Sequence, residues 1–145
     1  MKRLAAITAL ALLVAVPTPA DAASRDAVAG LVNAERRAHG IAPLSGSPAL
    51  RRSAGRYARS LLRRGVFRHG PRISAPSRFT LLGENLALVL DSVPQPRRVV
   101  RMWMTSAGHR AVMLNPRMRR LGVGRASGRF RGRPATIWVL HVGRA

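Results

Sequence analysis

The chain has 145 residues, of which 26 are basic and 5 acidic, and its formal net charge is +21. It contains no cysteine, which excludes a small disulfide-stapled scaffold and requires an apolar core or a metal to hold the fold. The length suits one domain. The charge predicts attraction to polyanions, and the even spread of arginines favours a generally basic surface over a specific nucleic-acid site.

The first 22 residues have the pattern of a secretory signal peptide. A basic start at Lys2 and Arg3 precedes an apolar run over residues 4–16, and Ala20-Asp21-Ala22 places small residues where a signal peptidase requires them. The apolar run is shorter than the ~20 residues that span a bilayer, which favours a cleaved leader over a retained anchor. We therefore expect residues 1–22 to be a signal peptide and residues 23–145 to be a secreted or envelope-associated domain.

Two amphipathic helices open this domain. The first follows Ser24 and ends at Gly40, with Val28 and Val32 on its apolar face and Arg36 pointing away from that face. The second begins at Pro48, directly after a capping serine, and ends at a glycine. One side of this helix is apolar and the opposite side carries arginines.

The rest of the chain predicts one more helix and a hairpin. A short extended segment is expected over residues 66–69, then a helix with Trp103 buried and a helical turn over residues 109–114. Residues 121–124 alternate as a strand, a turn rich in glycine and arginine covers 127–133, and a β-branched run over 135–142 suits a buried strand. Helices followed by a hairpin predict an α+β fold with an antiparallel sheet.

Residues able to carry chemistry lie in three short segments. Glu84 is an acid between small or polar neighbours in a strongly basic chain, Ser106 and His109 follow about twenty residues later, and His69 lies upstream of both. His141 is predicted to be a partly buried strand residue outside this group. Trp103 and Trp138 are predicted to belong to the core.

These segments resemble, in order, the CAP superfamily of cysteine-rich secretory, antigen 5 and pathogenesis-related-1 proteins, in its small bacterial secreted form. The resemblance covers roughly residues 26–142 and implies a CAP-type α-β-α sandwich with a small antiparallel sheet between helices. The main matching pieces are Leu31-Val32-Asn33-Ala34-Glu35-Arg36, Phe67-Arg68-His69, Gly83-Glu84-Asn85-Leu86-Ala87, Trp103-Met104-Thr105-Ser106-Ala107-Gly108-His109-Arg110 and Leu121-Gly122-Val123-Gly124.

The resemblance also implies a site. In the family, a central cleft is lined by two histidines and two acidic residues, which here match His69, His109 and Glu84. The position of the second acid holds Ser106, so the set of four is incomplete. Asn85 and Trp103 are expected to support the cleft.

Three chemical interpretations of these residues remain open. Two imidazoles and a carboxylate can bind a divalent cation such as zinc or calcium, with His69, Glu84 and His109 as ligands, although the missing acid and the basic background oppose it. Ser106 with His109 and Glu84 suits a serine hydrolase, but no nucleophile-elbow motif surrounds the serine, which also suits a helix cap. Alternatively, the histidines and Glu84 form a hydrogen-bonded set that fixes the cleft walls.

A binding module is favoured over an enzyme. The leading hypothesis is a secreted, monomeric CAP-domain protein whose His/Glu cleft holds a lipid, a wall fragment or a peptide, with the basic surface steering it to anionic envelope polymers or lipids. One alternative is a metal-assisted hydrolase of peptides or wall polymers that uses His69, Glu84 and His109. The other is a polyanion or nucleic-acid binder that acts through its arginines.

Overall fold

The computed structural model describes residues 18–145, and that part of the chain forms four helices and four strands. Most of the predicted signal peptide, residues 1–17, lies outside it, so the leader stays a prediction. Within residues 18–145 no helix combines the length and the apolar character needed to cross a bilayer. In chain order the elements are α1 (Pro19–Ala38), β1 (Ser45–Gly46), α2 (Pro48–Arg64), β2 (Leu81–Val89), α3 (Pro96–Thr105), α4 (Ala107–Met113), β3 (Arg120–Phe130) and β4 (Arg133–Arg144).

The strands form one sheet in the order β1-β3-β4-β2. Strand β4 pairs antiparallel with both β2 and β3, and the two-residue β1 pairs parallel with the outer side of β3. Helix α2 packs on one face of the sheet, and α1, α3 and α4 cover the other. The predicted α+β sandwich is confirmed, with β1 as a short parallel addition to the antiparallel strands.

Both faces of strand β4 are buried, and its side chains alternate between the two cores on either side of the sheet. Trp138 and Val142 belong to the core shared with α1, α3 and α4, whereas Ile137 and Val139 belong to the core under α2. Side chains alternate along a strand. His141 therefore lies in line with the second pair and faces α2.

Helix α1 begins earlier than the sequence pattern predicted. It starts at Pro19 rather than after Ser24, because Thr18 occupies the N-cap and its side chain accepts a hydrogen bond from the Asp21 amide. The Asp21 carboxylate also pairs with the buried guanidinium of Arg125 on β3. Cleavage at the predicted leader boundary would remove this partner from Arg125.

Arg36 does not point away from the core, as the helical pattern had predicted, but is fully buried. Its guanidinium donates hydrogen bonds to the backbone carbonyls of Ala42 at 2.8 Å, Met113 at 2.7 Å and Asn115 at 3.0 Å. Burial, with a smaller contribution from the charge of Arg119, lowers the pKa of Arg36. The prediction was wrong because helical periodicity shows only where polar residues fall on the helix. It does not show whether buried carbonyls from distant segments need a hydrogen-bond donor.

The hairpin is tighter than predicted, and residues 66–69 form no strand. Strand β3 continues through Phe130, so only Arg131 and Gly132 form the turn, with φ of 49° and 82°. Two-residue hairpin turns that require positive φ match the twist of paired strands. The glycine and arginine content of residues 127–130 resembled a loop, but these residues pair in register with β4.

Two glycines of β3 let α2 approach the sheet at backbone distance. A Cβ atom at Gly122 would overlap the backbone of Leu50 and Arg51, and one at Gly124 would overlap Ala54. The close approach places the middle of α2, which carries Ser53, directly over β3 and β4.

We predict that Gly124→Ala lowers the free energy of unfolding by about 3 kcal/mol or more, because backbone atoms rather than a flexible side chain block the new methyl group. Gly30→Ala is the control, since nothing lies within 4 Å of a Cβ at that position of α1. Alanine there is expected to raise stability by up to about 1 kcal/mol. Urea denaturation of both variants measures this, and equal stabilities would contradict the close α2–sheet contact.

Candidate functional site

The candidate site is built around the Glu84 carboxylate on β2, an edge strand of the sheet. Its side chain is 8% exposed, and both oxygens are engaged by histidines. His69 Nδ1 lies 2.8 Å from Oε1, and His141 Nε2 lies 2.8 Å from Oε2. A buried carboxylate is costly unless it is hydrogen-bonded. The two imidazoles together give Glu84 one partner for each oxygen.

His141 is the site residue that the sequence did not reveal. It lies directly opposite Glu84 in the pairing of β2 with β4, is 1% exposed, and its ring stacks on Tyr57 at a centroid distance of 6.4 Å. The β4 pattern indicated a buried strand but not the pairing register, and only the register brings His141 to Glu84. A polar residue inside an otherwise apolar strand was the available signal.

The two histidines expected from the family resemblance do approach each other. His69 comes from the segment after α2 and is 57% exposed, whereas His109 lies in the first turn of α4. Their ring centroids are 6.3 Å apart. The Tyr57 hydroxyl donates to the Arg68 carbonyl at 2.8 Å and so ties the His69 segment to α2. His69, Glu84 and His109 thus come together around β2.

Asn85 and Trp103, the expected supporting residues, join the neighbouring helices to β2. Asn85 Nδ2 donates to the His109 carbonyl at 2.9 Å, and Trp103 Nε1 donates to the Leu86 carbonyl at 3.0 Å. Both side chains are fully buried. They place the start of α4, and with it His109, beside the edge strand.

Ser106 occupies the N-cap position of α4, but its hydroxyl makes no capping bond. Its backbone carbonyl accepts from the Arg110 amide at 2.8 Å. Within residues 18–145 the structure shows no hydrogen bond between Ser106 and His109. The nucleophile–base contact that a serine hydrolase relies on is thus not formed.

The metal centre of His69, Glu84 and His109 stays a prediction. Among the residues that the structure describes, no three His, Cys, Asp or Glu side chains are grouped so that they could hold a metal ion. Glu84 contacts His69 through one oxygen and His141 through the other. The fourth family position holds Ser106, which supplies no second carboxylate.

Two cavities meet at Glu84. A cavity of about 180 Å³ lies between α2 and the sheet, and a broader groove of about 540 Å³ runs along the His69 segment. Arg72, Ile73 and Glu84 line both. A separate groove of about 590 Å³ between α1 and α3 shares no residue with either.

Two residues that line the 180 Å³ cavity each carry a buried polar atom without a hydrogen-bond partner. These atoms are Ser53 Oγ and His141 Nδ1, on residues that are 3% and 1% exposed. Buried polar groups are nearly always satisfied. Arg56 and Arg72 line the same cavity, so its lining residues combine unpaired polar atoms with positive charge.

His109 gives the site a pH response. Burial, reinforced by nearby His69, lowers the pKa of His109 below its usual 6.5. The unfolded chain therefore binds this proton more readily than the folded one as the pH falls below about 6.5. The stability contributed by neutral His109 is complete above that pH and declines as the pH falls toward the folded-state pKa.

We predict that His109→Gln flattens the loss of melting temperature between about pH 7 and pH 5. Thermal melts across this range for the wild type and His109→Gln test it. Parallel curves for the wild type and His109→Gln would contradict the proposed response.

Comparison with known proteins identifies the family. The profile of the cysteine-rich secretory protein (CAP) family matches residues 29–142. The uncharacterized protein YkwD of Bacillus subtilis (strain 168) is 33% identical over 106 residues, which make up 67% of this chain and 40% of that protein. The chain thus corresponds to less than half of the length of this relative.

Solved structures share the fold. An outer surface protein from Borrelia burgdorferi superposes with a TM-score of 0.71 at 19% identity, covering 84% of this chain and 92% of that one. An extracellular protein containing an SCP domain from Bacillus anthracis gives 0.68 at 20% identity, covering 88% of this chain and 44% of that one. The fold and the profile match over most of the sequence agree: this chain belongs to the cysteine-rich secretory protein (CAP) family.

Proposed function

We propose that this CAP domain is a secreted, non-catalytic binding module that holds a small carboxylate-bearing unit of a wall fragment or peptide. The ligand occupies the cavity between α2 and the sheet, beside Glu84 and His141. The observation that carries the proposal is the pair of deeply buried polar atoms without partners, Ser53 Oγ and His141 Nδ1, on two residues that line that cavity.

The hydrogen-bonding state of His141 defines part of the ligand. When its Nε2–H donates to Glu84, the neutral ring leaves Nδ1 as an acceptor. A ligand hydroxyl or amide N–H can donate to that nitrogen. The Ser53 hydroxyl can donate or accept. The site therefore suits a sugar hydroxyl or a peptide N–H rather than a purely apolar molecule.

Charge defines the rest of the ligand. Arg56 and Arg72 line the cavity, and guanidinium groups bind carboxylates with two parallel hydrogen bonds. The Glu84 carboxylate lies in the same wall, but both of its oxygens are already engaged. The free donors thus favour a ligand anion, as in an amino acid or sugar acid of a wall fragment.

The volumes set the size of the bound unit. A cavity of about 180 Å³ is equivalent to about six water molecules of liquid volume, which suits one sugar ring or one amino-acid residue. The adjoining groove of about 540 Å³ can take the next unit of the chain. The segment with Arg72 and Ile73 lies between the two spaces.

Binding is favoured over hydrolysis by the state of the reactive groups. Glu84 has no free oxygen, and Ser106 is not hydrogen-bonded to His109 in the described part of the chain. A nucleophile normally has a base within hydrogen-bond reach. The contacts between the histidines and Glu84 instead support a structural role as one wall of the cleft.

A location outside the cytoplasm is part of the proposal. It is supported by the leader pattern of residues 1–22 and by two structural neighbours named as an outer surface protein and an extracellular protein. Wall fragments and peptides are available there.

We predict that Ser53→Ala weakens binding of a soluble disaccharide–dipeptide wall fragment with a free carboxylate by about tenfold, the value of one hydrogen bond of ~1.4 kcal/mol. The same change should leave the free energy of unfolding unchanged or raise it, because it removes a buried hydroxyl without a partner. Isothermal titration calorimetry and urea denaturation provide the two measurements.

Two serine variants make this test specific. Ser77→Ala removes an exposed hydroxyl outside both cavities and should bind as the wild type does. Ser106→Ala should also retain binding, and the wild type should leave the fragment intact. Cleavage that disappears with Ser106→Ala, or equal affinities of Ser53→Ala and the wild type, would refute the proposed function.

A further inference from the structure

A second surface lies on the outer side of α2 and shares one residue, Arg56, with the lining of the cleft cavity. Arg52, Arg56, Arg59 and Arg63 are all exposed and follow one another at intervals of four, three and four residues. At 100° per residue these positions share one narrow face, opposite the buried Leu50 and Leu61. We call these four residues the α2 arginine stripe, and it spans about 16 Å along the helix axis.

The α2 arginine stripe has no carboxylate partner in the described part of the chain. Three ion pairs occur within residues 18–145, and all involve other residues. Residues 36–83, which contain α2, include no Asp or Glu. Of the five acids, Asp21, Asp26 and Glu35 belong to α1 on the opposite face of the sheet. The stripe is therefore a line of positive charge without internal neutralisation.

The residues on and around the α2 arginine stripe favour some classes of polyanion over others. Single-stranded nucleic acids are usually held by exposed aromatic side chains on which bases stack. Tyr57, the aromatic residue of α2, instead stacks on His141 and donates to Arg68. Membrane-surface helices insert an exposed apolar face. The large exposed apolar residues of the described chain, Phe67, Leu90, Val93 and Met102, all lie outside α2.

We propose that the α2 arginine stripe binds a linear phosphodiester polymer without bases, of the glycerol phosphate type found in cell walls. Such a polymer presents evenly repeated single negative charges that can follow a straight row of guanidinium groups. Each contact releases condensed counterions, which makes the binding strongly salt-dependent. Arg52, Arg59 and Arg63 anchor the domain to the polymer, whereas Arg56 lies between them and also lines the cleft cavity.

The test compares two variants of equal net charge. Arg52, Arg59 and Arg63 are replaced together by Gln, and Arg56 is kept because it also lines the cleft cavity. The control replaces Arg97, Arg98 and Arg101, three exposed arginines of α3, in the same way. Binding of fluorescent poly(glycerol phosphate) is measured by anisotropy from about 50 to 200 mM salt.

The stripe variant is expected to lose roughly 10- to 100-fold in affinity, and its slope of log K against log salt should fall by about 2. The α3 control should change less than about threefold. Equal losses in the two variants would show that net charge alone is responsible and would overturn the proposal. Tighter binding to duplex DNA or to anionic lipid vesicles than to poly(glycerol phosphate) would overturn the choice of polymer.

These outcomes are independent of the cleft. The stripe variant leaves Ser53 and His141 unchanged, so its affinity for the wall fragment should equal that of the wild type. A loss of both activities together would mean that the variant has lost its fold, which circular dichroism detects. Arg52→Lys, Arg59→Lys and Arg63→Lys combined then supply a version with the charge retained, which must bind the polymer if the proposal holds.

Discussion

The arrangement of the site depends on how Glu84 is accommodated. It is one of five acidic residues in a chain with 26 basic ones, yet the groups that contact its oxygens are two imidazoles rather than guanidinium groups. A carboxylate with one N–H donor for each oxygen is held in one orientation. That orientation fixes His141, a residue of the central strand β4, and draws the largely exposed His69 segment onto the edge strand. The cleft wall is thus rigid at its base and open at its rim.

The scaffold brings the remaining groups to this carboxylate by close packing rather than by cross-links. Gly122 and Gly124 have no side chain, which lets α2 lie directly against β3. This close packing places Ser53 and Tyr57 of α2 over the sheet. On the opposite face of the sheet, the Arg36 guanidinium donates hydrogen bonds to backbone carbonyls in the loop after α1 and around the end of α4. Buried polar anchors of this kind give a cysteine-free domain definite positions for its loops.

The helices were accessible from sequence because their signals are local, whereas the candidate site residues came from the family resemblance. Ser47 caps α2 and Gly65 ends it in the left-handed conformation, as the sequence pattern predicted. The motif pieces around residues 69, 84 and 109 were sufficient to select the residues that the structure brings together.

What the sequence left hidden depends on long-range pairing. His141 enters the site only through the register of β2 with β4, and Arg36 is buried because distant carbonyls accept from it. Neither the strand register nor the position of the distant carbonyls produces a periodic pattern in the sequence.

The most direct measurement is a crystal structure of the protein with a carboxylate-bearing wall fragment. The account predicts a ligand hydroxyl or amide nitrogen within hydrogen-bond distance of His141 Nδ1 and Ser53 Oγ, with the ligand carboxylate facing Arg56 or Arg72. A fragment seated in the groove between α1 and α3, or bonded covalently to Ser106, would contradict it.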